Sequence, residues 1–552
     1  MKKDKFFIMA VLISILALVL RLWRLGTVPV SLHWDEAAWG YNAYSILQTG
    51  RDEYGQLFPF IIKSFGDYKP AFYMYLAALS EAIFGLNEFA VRLPSAIFGS
   101  LSVFLLFFVV KEIFAGFKGR KVIALVSSFI LAISPWHYHY SHGAWEINVM
   151  MFFILLGIWF FLKKLFYYSA FSFGLCFYIY QGAKMLVPLI LAGLLVFFWK
   201  RFITLSRKTI VSSALVFGLI VLPIFISIFF AGAGGRLKVM SIFSYPRPTE
   251  EAQVVAKEAG TTPGSLQFNI FHGPPNYFAR GVLGRYLNHL SARFLFFEGD
   301  WSNPRHNVPN SGVLNFLSII FLPLGAFFLI KEKIKNQAFL WYLTAISPLP
   351  AALSRDIVQA TRSLFLVFPL TVITAFGVYF AWQLVKKLPV VLKWGIVSIL
   401  AFGWFFSFAF YLDQFFVHAP VAYSEDWLYG YKQAVDYIKD RTDEYDQVVF
   451  TQKYGQPYIY YLFYTQYNPR QYQAQAKLIE NTQGDVGRVE RIDNIDFHDI
   501  YWPKERFLKN RLFVGGPYEL PLKDVVEGES KFITEIKYLN GNIAFRIVET
   551  VK

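Results

Sequence analysis

The stretch HWDEAAWGYNAYSILQTGRDEYGQLFPFIIKSFGDYKP, residues 33–70, lies between an N-terminal apolar segment and a long series of further apolar segments. It contains the adjacent acids Asp35 and Glu36, many aromatic residues and a DYKP tetrapeptide that includes Lys69. Charged residues beside a bilayer are costly unless they are solvated or partnered. Acids and a lysine placed ahead of many apolar segments therefore favour an enzyme over a scaffold.

The composition indicates a polytopic membrane protein. Of the 552 residues, 55% are hydrophobic and only 16% are charged, whereas soluble proteins average about 25% charged residues. The net charge is +15, but Lys and Arg lie in short clusters between apolar segments. This distribution is typical of a membrane topology signal, and we predict no nucleic-acid partner. The single cysteine, Cys176, excludes an intrachain disulfide.

About eleven apolar segments are predicted to cross the membrane, since a span needs about 20 apolar residues. The first continues into Arg-Leu-Trp-Arg without a small-residue cleavage site, so we interpret it as a retained span. The predicted spans are residues 6–22, 91–111, 121–136, 147–162, 165–180, 185–200, 209–230, 312–330, 337–353, 363–385 and 389–411.

The basic clusters between these segments predict the orientation. They fall on one side of the membrane together with the N-terminal lysines Lys2, Lys3 and Lys5, which predicts a cytoplasmic N-terminus in the plasma membrane. The apolar run 71–86 looks like a short span, but counting it would reverse every later loop. We therefore predict one large outer loop, 23–90, with two surface helices near 35–48 and 71–85. The other outer-face segments are 136–146, 180–184, 231–311 and 354–362.

The C-terminal part of the chain, 412–552, is richer in polar and charged residues and is predicted to be an extracytoplasmic α/β domain. The spacing predicts a helix over 424–441 with Ser424 as its N-cap. Residues 446–452 are predicted as a strand, and the chain closes in a hairpin that turns at Asn540-Gly541. We accordingly divide the chain into a transmembrane module, 1–411, and this domain.

Several motifs together resemble the GT-C glycosyltransferases that use polyprenyl-phosphate sugars. These are the protein O-mannosyltransferases and lipid A aminoarabinose transferases, similar to glycosyltransferase family 39. The motifs are HWDEAAWGYNA, DYKPAFYMYL, FGLNEFAVRLPSAIFGSL, SPWHYHYSHGAWEINVMMFF and YIYQGAKMLVPL, with weaker agreement at FLFFEGDWSNPRHNVP and QATRSLFLVFP. The resemblance covers mainly the first 200 residues or so. It implies an all-α polytopic membrane protein with the GT-C fold, followed by the C-terminal domain.

The resemblance also implies a reaction and the residues that carry it out. One sugar would move, with inversion, from a polyprenyl-phosphate donor to a hydroxyl of a protein, lipid or cell-envelope glycan on the outer face. Such a displacement needs a carboxylate to accept the acceptor's proton, and Asp35 matches that base, with Glu36 supporting it. Lys69 and Lys184 match positions that bind the lipid phosphate, whose charge grows as it leaves. Glu146 matches a further family acid.

Other outer-face residues are candidates for weaker reasons. Arg293, Arg305 and Arg362 could complete a phosphate pocket, but snorkelling or pairing with carboxylates is the favoured interpretation for each of them. Acceptor or sugar contacts are expected from Trp34, Tyr68, His142 and His306, although relatives commonly have Arg where this chain has His142.

The sequence also allows other roles for these acids and histidines, and other functions for the protein. Adjacent acids on a helix point about 100° apart, so Asp35 and Glu36 could simply interact with the helix dipole. The H-x-H-x-x-H pattern at 137–142 could bind zinc, but no cysteine accompanies it and the first outer loop lacks a D-x-D pattern, so we predict no divalent metal. A membrane transporter or a non-enzymatic cell-envelope assembly subunit is the alternative function. The sequence leaves the sugar, the acceptor, the carrier length and the oligomeric state open.

Overall fold

The computed structural model describes residues 4–230, 240–480 and 486–551. The start of the predicted outer loop 231–311 and the N-terminal lysines Lys2 and Lys3 lie outside these residues. The described chain is mostly helical, and its strands occur in one early hairpin and in the C-terminal part.

The α-helices are numbered in chain order over the described residues. They are α1 Lys5–Leu22, α2 Trp34–Thr49, α3 Phe72–Phe84, α4 Glu88–Ile113, α5 Arg120–Ala132, α6 Pro135–Tyr140, α7 Glu146–Leu162, α8 Phe166–Leu175, α9 Ala183–Phe197, α10 Trp199–Ile203, α11 Arg207–Phe230, α12 Thr249–Glu258, α13 Leu266–His272, α14 Pro274–Asn288, α15 Ser318–Lys331, α16 Gln337–Ile346, α17 Leu349–Ala352, α18 Ala360–Ser363, α19 Val367–Val385, α20 Val390–Asp413, α21 Ala419–Ala422, α22 Tyr431–Ile438, α23 Pro457–Tyr464, α24 Pro469–Gln475 and α25 Trp502–Glu505.

The strands form one six-stranded sheet and two short ribbons. The sheet has the order β6-β7-β3-β8-β10-β9, in which β3 runs parallel to β7 and β8 and the other pairs are antiparallel. The strands are β1 Ile61–Ser64, β2 Asp67–Pro70, β3 Gln447–Phe450, β4 Leu478–Ile479, β5 Arg488–Val489, β6 Arg491–Ile492, β7 Ile495–Phe497, β8 Arg511–Gly515, β9 Ser530–Lys537 and β10 Ile543–Thr550.

Five helical segments in the described part of the chain are long and apolar enough to cross a membrane. They are Lys5–Leu22, Glu88–Ile113, Arg207–Ser227, Ala360–Val385 and Val390–Ala422. Four shorter apolar helices, α3, α7, α9 and α15, have between 10 and 17 residues. Each predicted span coincides with helical structure, but several are shorter than the length that a straight span needs. The count of eleven spans stays a prediction.

The chain divides into two compact units. Unit 1 comprises Met1–Ala17, Ser100–His139 and Met150–Tyr411, and unit 2 comprises Leu18–Gly99, Tyr140–Val149 and Leu412–Lys552. The C-terminal residues thus share a unit with the first predicted outer loop. The predicted division of the chain at residue 411 into two domains stays a prediction.

Unit 1 is built from closely packed apolar helices. Helices α15 and α19 cross where Gly325 faces Gly377, and a Cβ on either glycine would lie 1.9 Å from a carbonyl oxygen of the other helix. Small residues allow this backbone approach, as is common between helices in membranes. Helix α16 packs on α9, where the Tyr342 hydroxyl donates to the Leu189 carbonyl at 2.7 Å.

Unit 2 contains the two predicted surface helices, which correspond to α2 and α3. Helix α2 ends at Gly50, whose φ of 70° is left-handed and favours glycine. The hairpin β1–β2 turns at Phe65 and Gly66, with φ of 57° and 83°, as a two-residue hairpin loop of type I′ requires. This hairpin delivers Lys69 from β2.

The C-terminal part of unit 2 differs from the prediction in one element. The helix predicted over 424–441 begins only at Tyr431, because Leu428 and Gly430 both have positive φ and interrupt it. The Ser424 hydroxyl donates backwards to the Val421 carbonyl at 3.0 Å, so the predicted N-cap was wrong. The closing hairpin is present as β9 and β10, and Gly541 in its turn has a φ of 90°.

Candidate active site

Helix α2 starts with a capping box that fixes the two acids. The Nδ1 atom of His33 accepts the N–H of Asp35 at 3.4 Å, and Oε2 of Glu36 accepts the N–H of His33 at 3.2 Å. Reciprocal capping satisfies N–H groups that have no partner inside the helix. The side chains of Asp35 and Glu36 therefore leave the helix from a rigid first turn.

Glu36 is part of a fully buried ion pair with Arg92 of α4. The guanidinium binds both carboxylate oxygens, with Nε–Oε1 and Nη2–Oε2 distances of 3.0 Å, and the N–H of Ala144 donates to Oε1 at 2.8 Å. With the bond from His33, the carboxylate accepts four hydrogen bonds. A carboxylate has about four lone-pair sites, so Glu36 is fully occupied. Arg92 also donates to the carbonyls of Leu25, Pro29 and Ser31.

Asp35 has a different environment. Its Oδ1 contacts the Nζ of Lys69, a residue that is 7% exposed. This Nζ lies 5.1 Å from the centre of the Phe65 ring and 5.9 Å from that of the Trp39 ring. The Asp35 side chain itself is 45% exposed. Partial burial raises its pKa, but the charge of Lys69 and the contact with His33 outweigh burial and hold the pKa well below its usual value. Asp35 is therefore an accessible carboxylate at neutral pH.

Glu146 is a second carboxyl group of this region. It is the first residue of α7, ahead of the predicted span 147–162, and is partly buried. Burial raises its pKa to about 7, and the charges of Asp35 and Lys69 also act on it, the first raising and the second lowering its pKa. The carboxyl group of Glu146 is therefore electrostatically coupled to Asp35 and Lys69.

C-terminal residues support helix α2 within the same unit. The Tyr460 hydroxyl donates to the carbonyl of Leu32, just before the capping box, at 3.0 Å. Gly455 has a φ of 134°, and a Cβ there would lie 2.4 Å from the ring of Trp34. The first turn of α2 is thus held by residues more than 400 positions away along the chain.

A further buried acid, Glu53, links the loop after α2 to α23. The amide of Asn42 donates to Oε1 of Glu53 at 3.1 Å, and the Tyr458 hydroxyl donates to Oε2 at 3.2 Å. Burial raises the pKa of Glu53 to about 8, while the hydrogen bonds from Asn42 and Tyr458 lower it. Glu53 has no salt bridge to a cation within the described residues.

The three remaining candidates of unit 2 are placed differently. Trp34 packs against the ring of His33, with a centroid distance of 4.2 Å, and Tyr68 lies below the ammonium group of Lys63 at 5.7 Å. His142 is completely buried, and its Nε2 contacts the Trp23 carbonyl at 3.1 Å. Complete burial argues against the sugar contact that the sequence suggested for His142.

The candidate cations of unit 1 have partners of their own. Arg293 binds Glu298 through Nε and Nη2 at 2.8 and 2.6 Å, and Arg362 binds Asp356 at 2.6 Å. Lys184 contacts the side-chain oxygen of Gln181 in the turn before α9, and burial lowers its pKa. The sequence left carboxylate pairing open for the two arginines, and the structure shows it.

Arg305 and His306 belong to a turn of unit 1 in which His306 is buried and Arg305 is partly buried. Nδ1 of His306 lies 3.3 Å from Oδ2 of Asp300, which also accepts the Ala360 N–H at 2.8 Å. The Arg305 carbonyl contacts Nε2 of His139 at 2.8 Å. These bonds fix the turn, and they give His306 a buried position beside an acid.

No group of three or more His, Cys, Asp or Glu residues is placed to hold a metal ion within the ranges that the structure describes. This includes the H-x-H-x-x-H pattern, where His139 and His142 bind backbone carbonyls instead. Metal independence stays a prediction.

Comparison with known proteins gives a family match for part of the chain. Residues 68–227 match the profile of a family described as dolichyl-phosphate-mannose-protein mannosyltransferase. The matched region includes Lys69, Arg92 and Glu146 and begins after Asp35 and Glu36. No curated protein matches the chain.

Solved structures share the fold at low sequence identity. ArnT from Cupriavidus metallidurans bound to undecaprenyl phosphate is 13% identical, with a TM-score of 0.54 over 98% of this chain and 97% of that protein. Its apo state is 11% identical, with a TM-score of 0.53 over the same shares. An Archaeoglobus fulgidus oligosaccharyltransferase tethered with an acceptor peptide is 12% identical, with a TM-score of 0.50 over 99% of this chain and 74% of that chain.

The family match and the shared fold indicate a GT-C glycosyltransferase. The enzyme class predicted from the motifs is thereby confirmed, and the apolar helices agree with an integral membrane protein.

Sequence reasoning missed one functional partner in this glycosyltransferase. Arg92 stands inside the quoted motif FGLNEFAVRLPSAIFGSL, and it is the only charged residue between Glu88 and Lys111. A charge at the start of an apolar segment was a signal for a buried partner. The C-terminal support of α2 by Tyr460 carried no such signal, because a single tyrosine in an aromatic-rich chain is not distinctive.

Proposed function

We propose that this protein moves one sugar from a polyprenyl-phosphate donor to an acceptor hydroxyl, with inversion, and that Asp35 accepts the hydroxyl proton. The observation that supports this proposal is the contrast within the capping box. Glu36 is saturated by four hydrogen bonds, whereas Asp35 is half-exposed and held as a carboxylate by Lys69.

The proposed step is a single displacement. The acceptor oxygen forms a bond to the anomeric carbon as the bond from that carbon to the phosphate oxygen breaks. The phosphate oxygen leaves with the electron pair, and the hydroxyl proton passes to Asp35, which later releases it to water. A positioned carboxylate contributes about 10²–10⁴-fold to such a transfer.

Lys69 has the proposed task of stabilising the leaving phosphate. An ammonium group has three N–H donors and no acceptor, so contact with Asp35 leaves donors for a phosphate oxygen. Lys184 is the second proposed phosphate ligand. Arg293 and Arg362 are paired with Glu298 and Asp356. We propose that these two arginines bind the donor phosphate only when it replaces their carboxylate partners.

Glu146 is the competing base in this proposal. Its pKa of about 7 is close to the value at which a general base is most effective at neutral pH. Asp35 is the stronger candidate because its side chain is 45% exposed and its carboxylate directly contacts Lys69. We assign Glu146 the role of an electrostatic partner of Asp35 and Lys69.

The remaining features of the proposal concern architecture and substrates. We propose about eleven spans, a cytoplasmic N-terminus and an extracytoplasmic C-terminal α/β domain, 412–552. The acceptor is a protein, lipid or cell-envelope glycan on the outer face, and Trp34 and Tyr68 offer aromatic faces for sugar stacking. We propose catalysis without a divalent metal.

The experiment is sugar transfer by the purified full-length protein in lipid. A panel of radiolabelled polyprenyl-phosphate sugars is supplied with membrane extract as acceptor, and nucleotide sugars serve as the donor control. We expect sugar transfer from at least one polyprenyl-phosphate sugar and none from nucleotide sugars. Adding a metal chelator should leave the rate of transfer unchanged. Transfer only from nucleotide sugars, or loss of activity in chelator, would contradict the proposed donor or the proposed metal independence.

A further inference from the structure

A cavity of about 790 Å³ lies within unit 1, and of its lining residues only Asp356, the present partner of Arg362, enters the proposed reaction. It is formed by α13, α14, the turn at Ile242 to Tyr245 and the loop before α18. Its polar lining includes the four arginines Arg247, Arg280, Arg285 and Arg355. Ligand pockets commonly have volumes of about 300–1,000 Å³, so the cavity has room for a head group larger than phosphate alone.

The guanidinium group of Arg285 donates hydrogen bonds to uncharged backbone oxygens. Its guanidinium donates to the carbonyl of Gly281 at 3.1 Å and to the carbonyl of Arg355 at 3.0 Å. The guanidinium of Arg355 donates in turn to the Tyr245 hydroxyl at 2.9 Å. Carbonyl and hydroxyl oxygens thus help to orient these two guanidinium groups.

Acidic residues offset only part of the positive charge. Asp356 is the only acid among the described residues that line the cavity, and it binds Arg362 at 2.6 Å. Arg247 pairs with Glu251 at 3.3 Å, but the side chain of Glu251 is 51% exposed. Four arginines against one lining acid that is already paired leave the cavity positive. Planar guanidinium groups are well suited to phosphate oxygens.

The surroundings of the cavity are apolar. The guanidinium of Arg247 lies 4.9 Å from the centre of the Tyr277 ring, and that of Arg355 lies 5.9 Å from the Tyr245 ring. Large apolar side chains that are more than half-exposed occur on the same elements, at Phe243, Leu266, Ile270, Phe271, Leu283 and Leu287. Helices with exposed apolar side chains beside basic ones are typical of membrane-surface segments.

We propose that this cavity is a binding site for a phosphate-bearing head group. The arginines would contact the phosphate oxygens, and the exposed apolar side chains would contact a lipid chain attached to that phosphate. A membrane lipid and a free phosphate share this chemistry, and the experiment below distinguishes them. The proposal does not depend on the reaction assigned to Asp35.

Binding is measured on the purified full-length protein in detergent. The probes are dioleoyl phosphatidic acid, dioleoylglycerol, which lacks the phosphate, and inorganic phosphate. The variants are Arg280→Gln, Arg285→Gln and their combination. Arg207→Gln is the matched control, because Arg207 is an exposed arginine of unit 1 that does not line the cavity. Lys69→Gln separates this cavity from the proposed donor site.

We expect phosphatidic acid to bind at least tenfold more tightly than dioleoylglycerol and inorganic phosphate, and the double variant to lose at least tenfold in affinity. Arg207→Gln and Lys69→Gln should retain this binding. Equal affinity for inorganic phosphate, lost in the same variants, would support a phosphate site with a soluble ligand. Unchanged binding in the double variant, or loss only in Lys69→Gln, would overturn the proposal. If Arg285→Gln fails to fold, the exposed Arg280→Glu gives the same test by charge reversal.

Discussion

The Glu36–Arg92 pair and the Asp35–Lys69 pair start from neighbouring residues of one helix turn and both end on a buried cation, but the two acids differ in exposure. Glu36 and Arg92 are both buried, and every carboxylate lone pair is used. Asp35 is half-exposed, and its carboxylate contacts the side chains of Lys69 and His33. The comparison shows that the partner and the exposure of a carboxylate, and not its place in the DE motif, decide whether it can take part in chemistry.

The largest effect is expected where the buried pair is broken. Arg92→Leu leaves the Glu36 carboxylate buried without its cation, and we expect a loss of about 3–5 kcal/mol in the free energy of unfolding. The measurement is thermal unfolding in detergent, with yield monitored by size exclusion. The double variant Arg92→Leu/Glu36→Leu removes both charges and should recover part of the loss. Normal stability of the single variant would show that the pair is not needed for folding.

The pair with the half-exposed acid should respond in activity more than in stability. Lys69→Gln removes the cation beside Asp35 and the proposed phosphate ligand, so we expect activity to fall about 10²–10³-fold with little change in unfolding temperature. Because Lys69 holds the pKa of Asp35 down, that pKa should rise in the variant. The acid limb of the pH–activity profile should therefore move to higher pH. An unmoved limb would separate Lys69 from the group that controls the reaction.

Glu53 sharpens the comparison, because it is buried like Glu36 but lacks an arginine partner. Burial raises the pKa of Glu53 from 4.5 to about 8. At a pH between these two values, Glu53 is protonated in the folded protein and ionised in the unfolded chain. Its contribution to stability is present below the lower pKa and is lost as pH rises through the higher one. Unfolding temperatures from about pH 5 to about pH 9 should fall more steeply for wild type than for Glu53→Gln. Parallel curves would contradict a protonated Glu53.

The smallest effect tests the support of α2 by the C-terminal part. Tyr460→Phe removes only the hydroxyl that donates to the Leu32 carbonyl. We expect a loss of about 1 kcal/mol in stability, the usual net contribution of one hydrogen bond. Tyr501→Phe, at a largely exposed tyrosine, is the matched control and should change nothing. Equal unfolding temperatures for both variants would show that this bond adds no stability.

Parts of this site could be predicted from the sequence because they depend on local patterns. The bounds of α2 and α3 follow from turn residues and apolar spacing, and the placement of Asp35 with Lys69 follows from motifs in one loop. The Glu36–Arg92 pair depends on residues from two segments, and only the fold brings them together. The start of α22 was missed because a positive φ is unusual for leucine and was not expected at Leu428, and because Gly430, a local signal for a helix break, was counted inside the helix.

The most direct test of the proposed reaction is sugar transfer by Asp35→Asn at matched amounts of folded protein. The amide keeps the shape of the side chain but cannot accept the hydroxyl proton. We predict a fall of about 10²–10⁴-fold in transfer, while the unfolding temperature stays close to that of wild type. Transfer equal to wild type would contradict the assignment of Asp35 as the base and would move that role to Glu146.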